Sequence, residues 1–460
     1  MFADCSAAIA HNPPAAHYGV AVADVDGDGK FEFVVAGFGG PNRVLKWAGG
    51  KLRDATPHPV ADPTGQAVGI AAGDLDGDGR EELYVLNTDT LSGPKRTADR
   101  LFKATPDGRW IDLFEIPANA TIRNLVSGRS VAAIDRRGLG RYGFFVANHG
   151  RPMRLYELGP QGTLLDLAQP LQLDRLTGGR SLLAAPLLGH SPDLFCGNEQ
   201  GPNFLFRNRG NGTFEEVAAG TKLADGGEQA RGVTAVDADG DGRLDLCWGN
   251  WEGPHRLMVR QPDGSWKDRA TPGMAFPSAV RTVIAADFDN DGRDEIFFNN
   301  LGEPNRVFRI LPDADPDLCM LDPGEALNPD GFGTGAAIAD IDGDGVLELL
   351  VAHGERALQP LALYKARHAA GNGWLRVQPL TRFGAPARGA VVRAECGGRT
   401  LVKCVDGGSG YLCQMEPVAH FGLGTAGRAS KVTVTWPDGC TLAIPDPDAN
   451  CTYTVPYPRG

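Results

Sequence analysis

Short runs of apolar residues, each bounded by Gly, Pro, Asn or Asp, recur along the chain. Phe31-Glu-Phe-Val-Val, Glu82-Leu-Tyr-Val-Leu, Leu244-Asp-Leu-Cys-Trp and Glu295-Ile-Phe-Phe are rich in β-branched and aromatic side chains. Such side chains fit a pleated, half-buried surface, so the runs predict strands. Each run follows an acidic segment that also recurs: Asp24-Val-Asp26-Gly-Asp28-Gly-Lys30-Phe-Glu32, then Asp74-Leu-Asp76-Gly-Asp78-Gly-Arg80-Glu-Glu82. It returns as Asp237-Ala-Asp239-Gly-Asp241-Gly-Arg243-Leu-Asp245, Asp287-Phe-Asp289-Asn-Asp291-Gly-Arg293-Asp-Glu295 and Asp340-Ile-Asp342-Gly-Asp344-Gly-Val346-Leu-Glu348. Steps of 50 (24 to 74), 50 (237 to 287) and 53 (287 to 340) set the period. The gap from 74 to 237 has room for two degenerate copies, and Ser130-Val-Ala-Ala-Ile-Asp135 and Ser181-Leu-Leu-Ala-Ala-Pro186 supply them.

Within each period the pattern continues through a Gly-Pro turn, as in Gly40-Pro-Asn-Arg-Val-Leu, and a closing aromatic or acidic strand, as in Ser265-Trp-Lys-Asp268. Four short strands per period, seven times, predict an all-β fold: a seven-bladed propeller over residues 1–368. The seventh copy shows three strands, and Met1-Phe-Ala-Asp4 matches the missing closing strand. It is expected to pair near Leu361–Tyr364 and remove an open edge. From Gly371 the acidic loops stop, and alternating runs such as Lys431-Val-Thr-Val-Thr-Trp436 predict a small β-domain over 369–460.

The acidic loops carry the chemistry. Carboxylates at positions 1, 3, 5 and 9 and the carbonyl of position 7 (Lys30, Arg80, Arg243, Arg293 or Val346) can wrap one hard cation, with Gly at position 6 allowing the turn. So oxygen-rich a cage suits Ca²⁺ better than Mg²⁺, which keeps its waters. An EF-hand would place a bidentate Glu at position 12 between helices. Here the closing acid is at position 9 and a strand follows. Five ions would bring the formal charge from −12 to −2.

The balance of 45 basic and 57 acidic residues argues against a nucleic-acid or anionic-membrane partner. No apolar run approaches the ~18 residues of a membrane span. The opening Met1-Phe-Ala-Asp4 has neither the basic nor the apolar region of a signal peptide. Nine cysteines include two pairs, Cys396 with Cys404 and Cys440 with Cys451, that flank short loops and would form disulfides in an oxidising compartment.

The Asp-x-Asp-x-Asp-Gly hairpins resemble the FG-GAP (VCBS-type) repeat. Asp406-Gly-Gly-Ser-Gly-Tyr-Leu-Cys413, His420-Phe-Gly-Leu-Gly424 and Val434-Thr-Trp-Pro-Asp-Gly439 are similar to the ASPIC/UnbV domain. Together the motifs resemble the cartilage acidic protein family across nearly the whole chain. The resemblance implies a secreted, calcium-binding extracellular glycoprotein that acts through protein contacts with a matrix component or cell-surface receptor; the alternative location is cytoplasmic. The sequons at Asn119, Asn211 and Asn450 then become glycosylation candidates.

No Gly-x-Ser-x-Gly elbow, His-Glu-x-x-His or Walker loop is present. The alternative to an interaction protein is an enzyme using the channel mouth. Arg129, Arg231 and Arg281 each precede a loop-anchor Asp by six residues, and Arg180 precedes Pro186 by the same number. Innermost strands would carry these arginines to the mouth opposite the metal loops, where Asn198, Asn250 and His353 are expected to join them in an anion site. The degenerate loop Asp135-Arg-Arg137-Gly-Leu-Gly-Arg141 is expected to hold a guanidinium where the other loops hold Ca²⁺, and Pro186–Leu194 to be metal-free.

Overall fold

The computed structural model describes residues 1–311, 318–367 and 371–458. The sheet of His17–Ala23, Glu32–Gly37, Arg43–Ala48 and Lys51–Asp54, hydrogen-bonded in that order, sets the pattern. Alternate side chains of its first strands leave opposite faces. Val20, Val22, Phe33 and Val35 pack toward the sheet containing Ala336 and Leu350, while Ala21, Ala23, Val34 and Ala36 pack toward Ile70 and Ala72. Both faces are buried, which explains why the runs are nearly continuous in apolar residues.

The same order recurs in Ala67–Gly73 to Trp110–Asp112, in Ala230–Val236 to Trp266–Asp268 and in Val280–Ala286 to Leu318–Leu321. The third and fourth repeats fuse into one eight-stranded sheet. Gly143–Pro152 and Leu176–Ala185 are long strands that pair beyond their own sheets, with Arg151 opposite Thr177 and Pro152 opposite Leu176.

The last sheet of this series holds Gly333–Ala339, Glu348–His353, Ala362–Ala366 and the N-terminal strand Phe2–Asp4. The register is Phe2 to Ala366 and Asp4 to Tyr364, so the pairing meets the expected stretch 361–364 at its end and runs on to 366. Phe2 is fully buried, edge-on to Phe288 at 5.0 Å. The first strand of each sheet lies beside the first strand of the next, and Gly333–Ala339 returns beside His17–Ala23. The arrangement is β-propeller-like.

The boundary between residues 368 and 369 lies outside the described residues. Beyond it, Gly373–Pro379 pairs with Ala419–Gly424 and, in parallel, with Cys451–Val455. A four-stranded sheet, in the order Arg399–Cys404, Val391–Cys396, Lys431–Thr435, Thr441–Pro445, shares a core with it around Leu375, Val392, Phe421, Val434 and Trp436.

Between these strands, residues 406–416 fill the axis of the ring. The backbone of Gln414 exchanges hydrogen bonds with Val20 and Val22, that of Gly410 with Val233, while Gly407 and Gly408 accept from Ala133 and Ala184. The fully buried Gln414 carboxamide binds both the amide and the carbonyl of Ala72. The glycines are required here: a Cβ on Gly407 would lie 2.6 Å from the carbonyl oxygen of Ala133. In sequence Asp406-Gly-Gly-Ser-Gly-Tyr411 carries only the ASPIC/UnbV resemblance; in the fold it is the plug of the channel.

Two covalent expectations are corrected. All nine cysteines are free thiols. In their hairpin Cys396 pairs with Arg399 and Cys404 with Val391, at opposite ends of the ladder, while Cys440 lies in the turn before Thr441–Pro445 and Cys451 begins a strand of the other sheet. Asn119 is 1% exposed, its amide donating to the Leu113 carbonyl and its oxygen accepting from Leu164, so this sequon is closed to modification. Asn211 and Asn450 are exposed.

Candidate metal loops and the opposite channel mouth

The five acidic loops share one internal geometry. The position-1 carboxylate accepts the amide of position 6: Asp24 from Gly29 at 2.9 Å, Asp74 from Gly79 at 3.0 Å, Asp237 from Gly242 at 3.0 Å, Asp287 from Gly292 at 2.8 Å and Asp340 from Gly345 at 3.0 Å. Those glycines have φ between 83° and 89°, a conformation that glycine adopts without strain. The position-9 carboxylate accepts the amide of position 2, as Glu32 does from Val25 and Glu348 from Ile341, both at 2.9 Å. Position 5 caps position 7, as Asp28 does Lys30. Backbone amides thus aim the acids inward.

Carboxylate oxygens converge within 4.8 Å of one another in Asp24/Asp26/Glu32, Asp74/Asp76/Asp78, Asp237/Asp239/Asp245, Asp287/Asp289/Asp291 and Asp340/Asp342/Asp344. Each loop also keeps a buried oxygen without a hydrogen-bond partner: Glu32 Oε1, Asp76 Oδ1, Asp237 Oδ1, Asp291 Oδ1 and Asp340 Oδ1. A buried acceptor left unpaired is expensive, so a cation between these oxygens fits the donor set. Burial pushes the carboxyls of Glu32, Glu82 and Glu348 up to about 8 and that of Asp245 up to about 7. Such groups ionise readily only against positive charge.

Part of that charge is built in, which the sequence reading did not identify. Opposite position 9 on the third strand stand Lys46, Lys103, Arg309 and Lys365 in four of the five sheets. Lys46 Nζ lies 2.6 Å from Asp28, Lys103 2.6 Å from Asp76 and Lys365 2.8 Å from Asp342; Arg309 pairs with Asp289 and Glu295. The fifth repeat has Val259 there, next to Met258 opposite Leu246, and Arg243 pairs with Asp241. A Lys or Arg falling 14 to 21 residues after position 9 would have been a usable signal.

The third repeat reverses the polarity. Asp135 keeps the position-1 role, accepting from Gly140 at 2.6 Å, but its neighbour Arg136 reaches Glu157 on the third strand and the Gly212 carbonyl at 2.8 Å. The guanidinium therefore pairs with the strand rather than with Asp135. In the fourth repeat Asp193 accepts from Leu188 and Asn208.

The C-terminal sheets dock on this loop face. Arg376 bridges Asp340, at 2.5 Å, and Glu416; Lys403 pairs with Asp294; Arg399 donates to the Gly292 carbonyl at 2.8 Å. His420 Nε2 meets Asn290 at 2.7 Å, and burial holds its imidazole well below the ordinary range. Arg388 is fully buried, paired with Glu81 at 2.6 Å and donating to the Val22, Asp406 and Met415 carbonyls.

At the other end of the channel Arg129, Arg180, Arg231 and Arg281 surround Tyr411, the tip of the plug. Arg180 and Arg231 share Glu199, Arg281 makes two bonds of 2.7 and 2.8 Å to Glu355, and Arg129 donates to the Thr90 and Leu91 carbonyls. Burial raises the Tyr411 phenol, but Arg180, Arg281 and Arg231 more than offset this, leaving it below the ordinary tyrosine value. Asn198, Asn250 and His353 have other tasks. Their side chains fasten strand-end turns by binding the Pro202, Pro254 and Pro360 carbonyls.

Comparison with known proteins places this architecture. The FG-GAP-like repeat model matches residues 7–85, 191–248 and 237–298, and the ASPIC and UnbV model matches 381–460. The BP39L lectin of Burkholderia pseudomallei superposes with a TM-score of 0.52 over 76% of this chain and 98% of that one, at 14% identity, a likeness of fold alone. Cartilage acidic protein 1 of Xenopus tropicalis is 45% identical over 486 aligned residues, covering 97% of this chain and 75% of that protein. The human protein is also 45% identical, with 97% and 73% covered. The chain belongs to the cartilage acidic protein family.

Proposed function

We propose that the chain is an extracellular calcium-binding scaffold that engages a protein partner, a matrix component or a cell-surface receptor. In this reading residues 1–368 form a seven-bladed propeller, residues 369–460 form an ASPIC/UnbV β-domain plugged into it, and five Ca²⁺ ions lock the loop face. The observation that carries it is the repeated set of converging carboxylates with an unpartnered buried oxygen in each of the five acidic loops. Bound calcium would supply the positive charge these cages need. The chain contributes the carboxylates, the position-7 carbonyls and the amide bonds that aim them. Four of the loops also carry C-terminal contacts, through Arg388 on Glu81, Arg393 on Gly242, Arg399 on Gly292 and Arg376 on Asp340, so calcium would hold the two parts in one rigid display surface. Exposed sequons at Asn211 and Asn450 suit a secreted glycoprotein.

The test is metal analysis with thermal melting. Dialysed protein should carry five calcium ions, each adding about 2.7 kcal/mol when calcium is 100-fold above its Kd. Chelation should lower Tm by more than about 10 °C. An unchanged melt after verified metal removal overturns the structural role of calcium. Capture of a partner from extracellular fluid in calcium but not in chelator would support the scaffold role.

A further inference from the structure

The channel mouth carries more positive charge than the fold balances. Arg129, Arg180, Arg231 and Arg281 occupy one register on four consecutive innermost strands, and the equivalent positions of the other three are Tyr18, Val68 and Thr334 (24, 74 and 340, less six). The ring is therefore basic along one contiguous arc and neutral along the rest. Among the described residues two carboxylates, Glu199 and Glu355, pair with these four guanidiniums. Glu199 is shared by two arginines and also lies 3.5 Å from His149 Nε2. Arg129 has carbonyls only, and its Nε, on a side chain 9% exposed, has no partner. His149 Nδ1 is likewise buried without a partner.

Removing uncompensated charge from water costs several kcal/mol per ion, so an excess of two buried positive charges calls for negative charge from outside. Burial, reinforced by the neighbouring guanidiniums, lowers the pKa of Arg129 and brings that of Arg231 to about 10. The forks are held ready. The Trp251 ring lies 4.0 Å from the Arg281 guanidinium and 5.7 Å from that of Arg231, fixing their planes. Tyr411 floors the mouth, 5.8 Å from Arg281, and a cleft lined by His149, Thr177 and Gly178 reaches Glu199, the carboxylate that Arg180 and Arg231 share. Planar guanidinium forks match the paired oxygens of an oxyanion.

We propose that this mouth binds a compact oxyanion of charge −2, of the sulfate or phosphate type, held by the four arginines above the ring of Tyr411. Glu199 and Glu355 orient the forks and offset two of the four charges, leaving the two that the dianion balances. The site uses none of the acidic loops, so it stands or falls separately from the calcium reading.

The test is calorimetric titration of the calcium-loaded full chain with inorganic sulfate, at ionic strength held constant with chloride. One saturable site with Kd below about 1 mM is expected. Arg129→Gln and Arg231→Gln should each weaken it at least tenfold, and Glu355→Gln, which frees Arg281 from its competing carboxylate, should tighten it. Titration with a simple phosphate monoester, which also approaches a charge of −2 above its second pKa of about 6, distinguishes the source. Equal or tighter binding assigns the anion to the end of a larger ligand, and tenfold weaker binding assigns the free ion; both retain the site. If an arginine variant does not fold, the tightening by Glu355→Gln decides. No saturable heat for either probe, arginine variants that bind like the parent, or no tightening by Glu355→Gln overturns the proposal.

Discussion

The first and third repeats share one strand order and opposite charge. In the first, Asp24, Asp26, Asp28 and Glu32 surround the slot between loop and third strand, and Lys46 reaches in from that strand. In the third, the loop supplies the cation, Arg136, and the strand supplies the acid, Glu157. The position-1 carboxylate is common to both and caps the same amide, that of Gly29 or Gly140. Shape and charge are thus separable. Position 1 closes the loop; the rest of the slot must find positive charge, from the chain or from solution. Four carboxylates and one ammonium leave −3, which a divalent ion reduces to −1. The third repeat pairs one guanidinium with one carboxylate and has no such deficit.

The largest expected effect tests the self-contained slot. Arg136→Ala leaves Glu157 partly buried beside an emptied site and should destabilise the protein by about 3 kcal/mol. Because no metal stands in for this pair, the loss should be the same in calcium and in chelator. A loss that disappears when calcium is added would show that the third slot also takes metal, and the contrast would fail.

Asp74→Ala should be next, and conditional. In saturating calcium it removes one metal site and its contribution of about 2.7 kcal/mol, and metal analysis should fall from five ions to four. In chelator only the caps to Gly77, Asp78 and Gly79 are lost, roughly 1 kcal/mol. Equal losses in both conditions would make the acids structural caps and nothing more.

The contrast also explains what was legible. An acidic loop spans nine residues, so its ligand set is complete within a reading window, and the period of the loops announces the sheets. The balancing charge, Lys46 in the first repeat or Glu157 in the third, comes from the third strand, whose distance varies with the intervening turn, and so escaped notice. The plug is further still from local: Gln414 binds Ala72, 342 residues away, and nothing near position 414 names that partner. Cys396 and Cys404 misled for the converse reason. Nearness in sequence across a tight hairpin places their side chains far apart along the ladder, because residues at its two ends separate by about 3.3 Å per step. Asn119 carries a valid sequon but lies in a short 3-10 segment whose polar atoms are consumed indoors.

Repeats also differ at the opposite end, where pH gives a smaller handle. The turn after the second strand is closed by Asn42, Asn203 and Asn305, which accept from Gly37, Asn198 and Asn300, whereas His255 Nδ1 accepts from Asn250. Burial, then Arg306 and Arg256, lowers the His255 imidazole to about 3. The folded value lies below the unfolded value of about 6.5. Between those pH values the unfolded chain binds the extra proton, and stability falls as pH falls, by up to about 1.4 kcal/mol per unit. His255→Asn, which installs the residue of the other repeats, should flatten that part of the stability profile between pH 6 and 4 measured by urea unfolding. A parallel profile would place the acid sensitivity elsewhere.

The smallest effect is the one that bears most directly on the comparison. Lys46 lies beside Asp26, Asp28 and Glu32, where its ammonium both neutralises the empty cage and opposes a second cation. Lys46→Gln keeps the length and removes the charge. Without calcium the carboxylates lose their one compensating partner, and the variant should be less stable by about 1 kcal/mol, discounted for the partial exposure of Asp26 and Asp28. With calcium the sign should turn, because the ion no longer competes with the ammonium, and the loop should bind calcium several-fold more tightly. The two stability curves, plotted against free calcium, should therefore approach or cross. The fifth repeat has Val259 in place of the third-strand cation, with Arg243 beside Asp241 at the loop, and should be among the tighter sites. If Lys46→Gln weakens calcium binding instead, the lysine is part of the cage rather than its rival, and the slot of the first repeat is closer in kind to that of the third than its charges suggest.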